Sequence, residues 1–317
     1  MSSAGENYDF DFAAAAKLPP NILFGTSSWT YPGWQGIVYK KQYRDEKELK
    51  AKCLEEYGHF PWFRALGIDS SFYRPTSKKM LLSYAKQIAP EMRWVSKVWE
   101  EITIPVYAKH ARYGEHAGKA NPNFLNADMF CSKVLSEHLA ADQPQHSGPF
   151  VFQFQALPKE SLEENRFLDQ LDKFLGQLPK EFQYATEVRN RELLCDDYFK
   201  ILNRHGATHC FNHWSYMPAL RDQMKSAAAV GGLEAPFYVC RILTPRNVSY
   251  QQAVDRYQPY NKLQQPIEDM RQDLVRLAKR AVEKKVNVFV LINNRSEGCS
   301  PITIDQVGRM IIKSDFI

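Results

Sequence analysis

Short apolar runs alternate with longer amphipathic segments along most of the chain. The runs have the length of buried β-strands, and the segments between them have the apolar spacing of helices. The predicted strands are residues 22–25, 67–72, 93–97, 150–154, 184–188, 208–212, 237–242 and 286–292. The predicted helices are residues 46–66, 78–88, 126–139, 160–177, 196–205, 219–229, 266–285 and 304–311.

The alternation of strands and helices predicts a parallel sheet, because parallel neighbours need crossover connections. Eight such units favour closure into an α/β barrel of the (β/α)₈ TIM type, and an open, doubly wound sheet is the alternative. The last predicted strand is apolar on both faces, as expected where helices cover a barrel and side chains fill it. We therefore predict one barrel domain over residues 21–317, preceded by an N-terminal tail over residues 1–20.

Long irregular stretches follow three of the predicted strands. They should lie at the C-terminal mouth of the barrel, where loops of this length are more often functional than filler. The stretch with His110 and His116 is a candidate lid over that mouth. The three stretches are residues 26–44, 101–124 and 243–264.

Size and composition agree with a single barrel, since the chain has 317 residues, of which 44% are hydrophobic and 24% charged. The formal net charge of +5 favours anionic ligands without requiring nucleic acid. No apolar stretch approaches the roughly 18 residues of a membrane helix, and the N-terminus lacks the pattern of a signal peptide. We expect a cytoplasmic protein without membrane contact, and we expect its six widely spaced cysteines to be reduced.

The strongest candidates for chemistry are Glu187 and Arg189, which lie two residues apart on a predicted strand and therefore share one face. If that face is the barrel interior, the two charges are costly to bury unless they pair with each other or with a ligand. A purely structural ion pair is the competing interpretation.

Other predicted strands also end in polar residues. Cations and amides at these ends would suit an anionic group, because arginine binds carboxylate or phosphate with two hydrogen bonds and lysine adds a point charge. A rim residue exposed to solvent is the alternative for each one taken alone. The residues are Lys97, Gln153, Arg241, Asn293 and Asn294.

Acidic and aromatic residues near the mouth complete the candidate site. Asp69 and Tyr73 end the second predicted strand and could carry protons. Trp29 and Trp34 lie in the first long loop, where an aromatic ring can stack on a ligand or close the barrel as an apolar plug. We expect the plug for Trp34 more than for Trp29.

Histidines recur every four residues at His205, His209 and His213, but this spacing does not predict a metal site. Residues four apart on a strand lie about 13 Å from each other, too far to share one ion. The chain also lacks a Gly-rich phosphate loop, a Gly-x-Ser-x-Gly elbow and a His-Glu-x-x-His motif. No metal and no cofactor is predicted.

The order and spacing of these motifs resemble those of the YecE-like family, a domain of unknown function numbered 72. The resemblance extends from Ile22 to about Ile304 and implies a TIM barrel whose motifs gather at one mouth. This chain departs from the family's usual pattern at Gly67, where relatives commonly carry an acid, at Asn212, where they often carry another, and after Arg241, where they have a histidine. The motifs are Gly25-Thr26-Ser27-Ser28-Trp29, Gly33-Trp34, Gly36, Asp69-Ser70-Ser71-Phe72-Tyr73-Arg74, Lys97, Phe152-Gln153-Phe154, Glu187-Val188-Arg189 and Asn293-Asn294.

Our leading hypothesis from the sequence is a metal-independent enzyme, a hydrolase or lyase that acts on a small anionic or sugar-like substrate. In this hypothesis Glu187 is the general acid or base, and Asp69 and Tyr73 are further catalytic candidates. The remaining candidates would hold, orient or stack on the substrate: Arg189, Lys97, Arg241, Gln153, Asn293 and Trp29.

Two hypotheses from other classes compete with an enzyme. A nucleic-acid binding module would use the same cations and aromatic rings to grip phosphates and an extruded base. A likeness of the family to barrels of the endonuclease IV type implies damaged DNA as the ligand of such a module. A scaffold that binds a protein partner at the mouth is the third hypothesis.

Overall fold

The fold comes from a computed structural model, which describes residues 8–158, 162 and 166–314. Residues 1–7 of the predicted tail and parts of the predicted helix at 160–177 lie outside the described residues. The eight predicted strands are all present and pair in parallel. They are β1 (Ile22–Thr26), β2 (Ala65–Ile68), β3 (Arg93–Lys97), β4 (Phe150–Gln153), β5 (Tyr184–Glu187), β6 (Thr208–His213), β7 (Phe237–Ile242) and β8 (Asn287–Ile292).

The sheet closes on itself, because β8 pairs with β1 over five residues, from Val288 opposite Ile22 to Ile292 opposite Thr26. Strand order around the barrel follows the order in sequence. This confirms the TIM barrel and excludes the open, doubly wound sheet.

Helices in the connections surround the barrel. Their apolar faces cover the outer residues of the strands, such as Ile22 and Phe24, in one continuous core. In the described part of the chain they are α1 (Phe12–Ala15), α2 (Glu46–Gly58), α3 (Lys78–Ala85), α4 (Glu100–Thr103), α5 (Ala127–Met129), α6 (Ser136–Ala141), α7 (Arg166–Gln177), α8 (Asp196–Arg204), α9 (Leu220–Ala229), α10 (Tyr250–Tyr257), α11 (Glu268–Glu283) and α12 (Ser300–Ile312).

The barrel interior is a second, separate core that places the candidate site. One residue of every strand, among them Val95, Ala185 and Val239, faces inward and packs against the others. Because side chains alternate along a strand, the residue two positions further on faces inward as well, nearer the mouth. Those next inward positions are polar on five strands, where they are Lys97, Gln153, Glu187, Asn212 and Arg241.

Several boundaries differ from the predictions, and three of the differences change an element. The second strand ends at Ile68, and Asp69–Phe72 form a 3₁₀ turn instead of continuing it. The predicted helix at 46–66 ends at Gly58, because Phe60, Trp62 and Phe63 turn into the core. The predicted irregular stretch at 243–264 contains helix α10, which begins with a capping box formed by Ser249 and Gln252.

The N-terminal segment from residue 8 packs against the barrel. Tyr8 donates a hydrogen bond to Asp305 of α12 at 2.6 Å, and the backbone N–H of Asp11 donates to the same carboxylate at 3.0 Å. Ala15 and Leu18 are buried. These contacts fix the segment to α12 and to the core between the barrel and the outer helices.

A buried ion pair ties helix α11 to the loop after β8. Arg271 donates from Nε to Oε1 of Glu297 at 2.9 Å and from Nη2 to Oε2 at 2.7 Å, and Thr303 donates to the same carboxylate. Glu297 is fully buried. The geometry is bidentate, which is the strongest form of this pair.

We expect Glu297→Gln to lower the free energy of unfolding by about 3 kcal/mol or more, because it leaves the buried Arg271 without its counter-charge. Urea unfolding measures this change. Glu46→Gln, which breaks an exposed pair with Lys50, is the matched control and should cost less than about 1 kcal/mol. Equal costs for the two variants would contradict the structural role of the buried pair.

Candidate functional site

Arg241 is at the centre of the polar layer at the mouth. It extends from β7 across the barrel, donating from Nη1 to Oε2 of Glu187 and from Nη2 to Oδ2 of Asp69, both at 2.5 Å. Only 2% of Arg241 is exposed. One guanidinium therefore joins carboxylates from β5 and from the turn after β2.

Arg189 is the second arginine of the layer, and its guanidinium is only partly used. It forms an ion pair with Glu187 and donates from Nη2 to Oε1 of Gln153 at 3.4 Å. Its Cζ lies 4.4 Å from the ring centroid of Trp214. The side chain is 8% exposed, yet Nη1 is buried and has no hydrogen-bond partner.

Lys97 lies beside these pairs at the end of β3. Its Nζ is 3.6 Å from the ring centroid of Phe72, and in the described part of the chain it makes no hydrogen bond and no ion pair. Ser71 donates to the backbone carbonyl of Lys97 at 2.5 Å, which fastens the 3₁₀ turn to β3. Residues three apart in a 3₁₀ turn share one face, so Asp69 and Phe72 both lie towards this part of the mouth.

Six of the residues described so far form what we call the mouth cluster. The two arginines of the cluster balance its two carboxylates, so the net charge of the cluster depends on the protonation of its lysine. The mouth cluster consists of Asp69, Lys97, Gln153, Glu187, Arg189 and Arg241.

The carboxyl group of Glu187 stays ionised. Burial raises its pKa, but the positive charges of Arg189 and Arg241 outweigh burial and lower the pKa to about 2. For Lys97 burial is the dominant effect, and it lowers the pKa of the amine to about 7. Asp69 and Glu187 raise the pKa of this amine, but Arg241 and Arg189 lower it again, so burial decides the result.

Several buried polar atoms at the mouth have no partner. They include Oγ of Ser27 after β1, Oδ1 of Asn212 on β6 and Nε of Arg295 after β8, in addition to Nη1 of Arg189. Buried polar atoms are normally hydrogen-bonded, because leaving one unpaired costs about 1–3 kcal/mol. Unpaired buried atoms also occur away from the mouth, for example on Thr208 and Tyr238, so they do not define a ligand site by themselves.

Tyrosines border the mouth cluster on its other side. The ring of Tyr31 lies 5.7 Å from that of Tyr260, and Arg295 lies 4.5 Å from the ring centroid of Tyr250. Burial raises the pKa of Tyr31; the charge of Arg295 opposes this and that of Asp69 adds to it, which places both charges near the phenol.

The departure at Gly67 has a steric cause. A Cβ atom at this position would lie 2.5 Å from the carbonyl oxygen of Thr26 and 3.0 Å from Cα of Ser27. An acid, which the family resemblance leads one to expect there, would not fit beside β1. Asp69, two residues further and on the same face, supplies the carboxylate to Arg241.

Three residues proposed from the sequence lie outside the mouth cluster. Trp29 is buried, and its ring meets Tyr84 of α3 edge-on at 5.1 Å, so it packs among the outer helices and does not stack over the mouth. Tyr73 is 64% exposed. Asn293 accepts a hydrogen bond from the backbone of Arg295 at 3.0 Å and thereby shapes the loop after β8.

The other aromatic and amide candidates have structural partners. Trp34 is completely buried in the core between the barrel and the outer helices, where it donates to Oδ1 of Asn294 at 3.2 Å. The candidate lid contacts neighbouring elements: Arg112 bonds to Glu100 at 2.6 Å and lies 5.3 Å from the ring centroid of Tyr73.

Sequence reasoning assigned no role in the site to four residues of the mouth, Phe72, Asn212, Trp214 and Arg295, although Phe72 lies in a family motif and Asn212 marks a departure from the family's pattern. Asn212 stands out by parity alone, since it follows the inward Cys210 by two residues. The other three lie in turns, where no periodicity fixes the direction of a side chain.

The three regularly spaced histidines have separate partners. His205 bonds to Asp172 at 2.6 Å, and Nδ1 of His213 lies 2.9 Å from the carbonyl oxygen of Thr244. Burial lowers the pKa of His209 to about 4. In the described residues no group of three or more His, Cys, Asp or Glu side chains is arranged to hold a metal ion.

A surface cavity of about 690 Å³ lies elsewhere, between the N-terminal segment and α2. Among the described helices, none is long and apolar enough to cross a membrane. The cytoplasmic location stays a prediction.

Comparison with known proteins identifies the fold and a family. Residues 23–314 match the family described as "Protein of unknown function DUF72". A solved DUF72 family protein from Thermotoga maritima is similar at 16% identity and a TM-score of 0.58, over 92% of this chain and 98% of that chain. One from Enterococcus faecalis is similar at 14% identity and a TM-score of 0.59, over 93% and 96%. No curated protein matches this chain.

The low pKa of Lys97 makes the stability of the protein depend on pH. An unfolded lysine keeps its proton up to about pH 10.5, whereas folded Lys97 loses it above about 7, so unfolding takes up a proton between these values. This group therefore makes the free energy of unfolding rise with pH over that window. In Lys97→Met the contribution disappears.

We expect the stability advantage of Lys97→Met over the wild type to be largest near pH 6 and to narrow towards about pH 9. Urea unfolding at several pH values measures it. Lys52→Met, which removes an exposed lysine of α2, is the control. An advantage that stays constant with pH would show that Lys97 titrates like an ordinary lysine.

Proposed function

The chain belongs to the DUF72 family of proteins of unknown function, and on that premise we propose that it is a metal-independent hydrolase or lyase acting on a small anionic or sugar-like substrate. The reaction would take place in the mouth cluster, at the end of the barrel where TIM-barrel enzymes bind substrates. The observation that carries the proposal is the buried, unpaired Nη1 of Arg189. A carboxylate or phosphate oxygen is the natural acceptor for it.

Arg189 is prepared to bind an anion. Glu187 and Gln153 occupy one edge of its guanidinium and Trp214 covers its face, so the group is held in one orientation before a ligand arrives. A fixed guanidinium loses little entropy on binding and can form charge-assisted hydrogen bonds. Arg241, in contrast, is already occupied by two carboxylates.

We assign proton transfer to Lys97 instead of Glu187. A carboxyl group with a pKa of about 2 holds no proton to donate near neutral pH and is a weak base. An amine with a pKa of about 7 is close to the optimum for accepting and returning a proton. Glu187 then serves as a positioning residue that holds both arginines.

Asp69 and Lys97 are partly exposed, so a substrate can reach the mouth cluster beside them. The side chain of Asp69 is 28% exposed and Lys97 is half-buried, whereas Glu187 and Arg241 are closed off from solvent. Asp69 and Arg189 both lie near the amine of Lys97, since the charges of both act on it. Asp69 and Arg295 likewise both lie near the phenol of Tyr31.

Anion binding should depend on the protonation of Lys97, because the charged amine attracts an anion and the neutral amine does not. We expect the affinity for sulfate, whose charge is constant near neutral pH, to fall as the pH rises through about 7. Arg189→Gln should weaken binding about tenfold or more at every pH, since it removes a charge-assisted contact. Isothermal titration calorimetry measures both effects.

Two variants make this test specific. Lys97→Met should abolish the pH dependence, and the control Lys52→Met should retain it. If the affinity for sulfate changes neither with pH nor in Arg189→Gln, the anion binds outside the mouth cluster and the proposal is contradicted.

A nucleic-acid binding module is the second candidate, and exposed tyrosines on three mouth loops favour it. Tyr73, Tyr216 and Tyr250 are 64%, 78% and 52% exposed. Arginines lie against two of these rings, Arg112 at 5.3 Å and Arg295 at 4.5 Å. Aromatic rings beside cations are typical of surfaces that bind single strands by stacking.

Fluorescence anisotropy with single-stranded and abasic DNA tests this candidate. It requires an affinity that falls steeply with salt and that Tyr216→Ala weakens. Leu139→Ala, which removes an exposed apolar side chain on α6, is the control. Undetectable or salt-insensitive binding would eliminate the module.

A further inference from the structure

We propose that Lys97 is a nucleophile that forms a Schiff base with the carbonyl carbon of a small anionic aldehyde or ketone. This inference rests on the proposed function, since it places the substrate in the same mouth cluster, but it names the substrate class and the covalent step. A lysine that acted only as a base would require neither a carbonyl substrate nor a covalent step.

The surroundings of Lys97 fit a nucleophile. Its Nζ makes no described hydrogen bond or ion pair, and it lies over the face of Phe72, 3.6 Å from the ring centroid. The lone pair of the neutral amine is therefore not committed to a donor of the protein. A buried, unprotonated lysine near cationic groups is the usual form of an amine nucleophile.

The product of the step is also supported at this position. An iminium ion carries a positive charge on nitrogen until it loses its N–H proton to give the neutral imine. The ring face of Phe72 and the carboxylates of Asp69 and Glu187 attract that charge, whereas burial and the two arginines oppose it. The protonated form is the one that withdraws electrons from the neighbouring bonds, so the attractive contacts support the step.

Arg189 explains why the carbonyl compound should be an anion. Its buried, unpaired Nη1 is a donor suited to a carboxylate or phosphate oxygen. The guanidinium is held in place by Glu187, Gln153 and Trp214. Binding the anionic end there would hold the carbonyl carbon for attack, and such positioning supplies much of the rate of a reaction between two groups. A 2-keto acid and an open-chain sugar phosphate share this chemistry.

The step balances without an oxidant or reductant. The amine nitrogen forms a bond to the carbonyl carbon while the π electrons move to oxygen, which receives the proton released by nitrogen. The resulting carbinolamine takes a proton from solvent, which reaches Asp69 and Lys97, and loses water to give the iminium ion. Water reverses these steps to release the product. Between them the iminium ion withdraws electrons, so that a neighbouring C–C or C–H bond can break.

Reductive trapping tests the inference on the full chain. The protein is incubated with pyruvate or with glyceraldehyde 3-phosphate in the presence of sodium cyanoborohydride, which reduces an iminium ion to a stable amine. Intact-mass measurement and peptide mapping should find an adduct on Lys97 with the mass of the probe less one oxygen atom. The probe that labels shows whether the anion is a carboxylate or a phosphate.

Variants and neutral probes give the matched controls. Lys97→Arg should lose the adduct, and Lys52→Arg should keep it. Acetone and glyceraldehyde, which lack the anion, should label Lys97 about tenfold less or weaker still, and Arg189→Gln should reduce labelling by the anionic probes to a similar extent. Thermal unfolding of each variant verifies that it folds.

Each negative outcome has one meaning. If sulfate binds to the mouth cluster but neither probe is trapped on Lys97, the Schiff base is wrong and the proposed function stands. If neither sulfate nor the probes bind, the proposed function fails with it. Labelling spread evenly over surface lysines, or equal labelling of Lys97 by neutral and anionic probes, would overturn the proposed substrate class.

Discussion

Two arginines buried at the end of a β-barrel need counter-charges within hydrogen-bonding distance, and the mouth of this protein is arranged to supply them. Glu187 contacts both Arg189 and Arg241, and Asp69 completes the partners of Arg241. Because a buried charge without a partner costs several kcal/mol, these contacts hold β5, β7 and the turn after β2 in one relative position. The contacts that stabilise the barrel mouth therefore also fix the geometry of the site.

The same pairing determines the chemistry that remains. Once the two arginines and two carboxylates neutralise each other, Lys97 has no counter-charge of its own, and burial removes its proton near neutral pH. Arg189 keeps one unpaired donor because its partners approach from only one side. An amine that loses its proton near neutral pH and a free guanidinium edge therefore belong to one cluster, a combination that suits a small anion with a reactive carbonyl group better than it suits a purely structural ion-pair network.

Much of the fold and part of the site could be predicted from the sequence. Strand–helix alternation predicted the barrel. The two-residue period of strands placed Glu187 and Arg189 on one face, and the polar ends of other strands made Lys97, Gln153 and Arg241 candidates at the mouth. Trp29 could not be placed, because in a loop no period fixes whether a ring faces the mouth or the outer helices. The protonation state of Glu187 could not be predicted from the sequence either. Burial raises its pKa and the arginines lower it, and which effect is larger depends on distances across the barrel that only the folded chain has.

The central claim is that folded Lys97 loses its proton near neutral pH, and the titration of its side chain tests this most directly. NMR of protein labelled with ¹³C at the lysine ε-carbons, assigned with Lys97→Arg, follows the protonation of each amine. The account predicts a midpoint for Lys97 near pH 7, while exposed Lys52 titrates far higher. A midpoint for Lys97 near the ordinary lysine value of 10.5 would contradict the account, because the amine would then carry its proton throughout the physiological range.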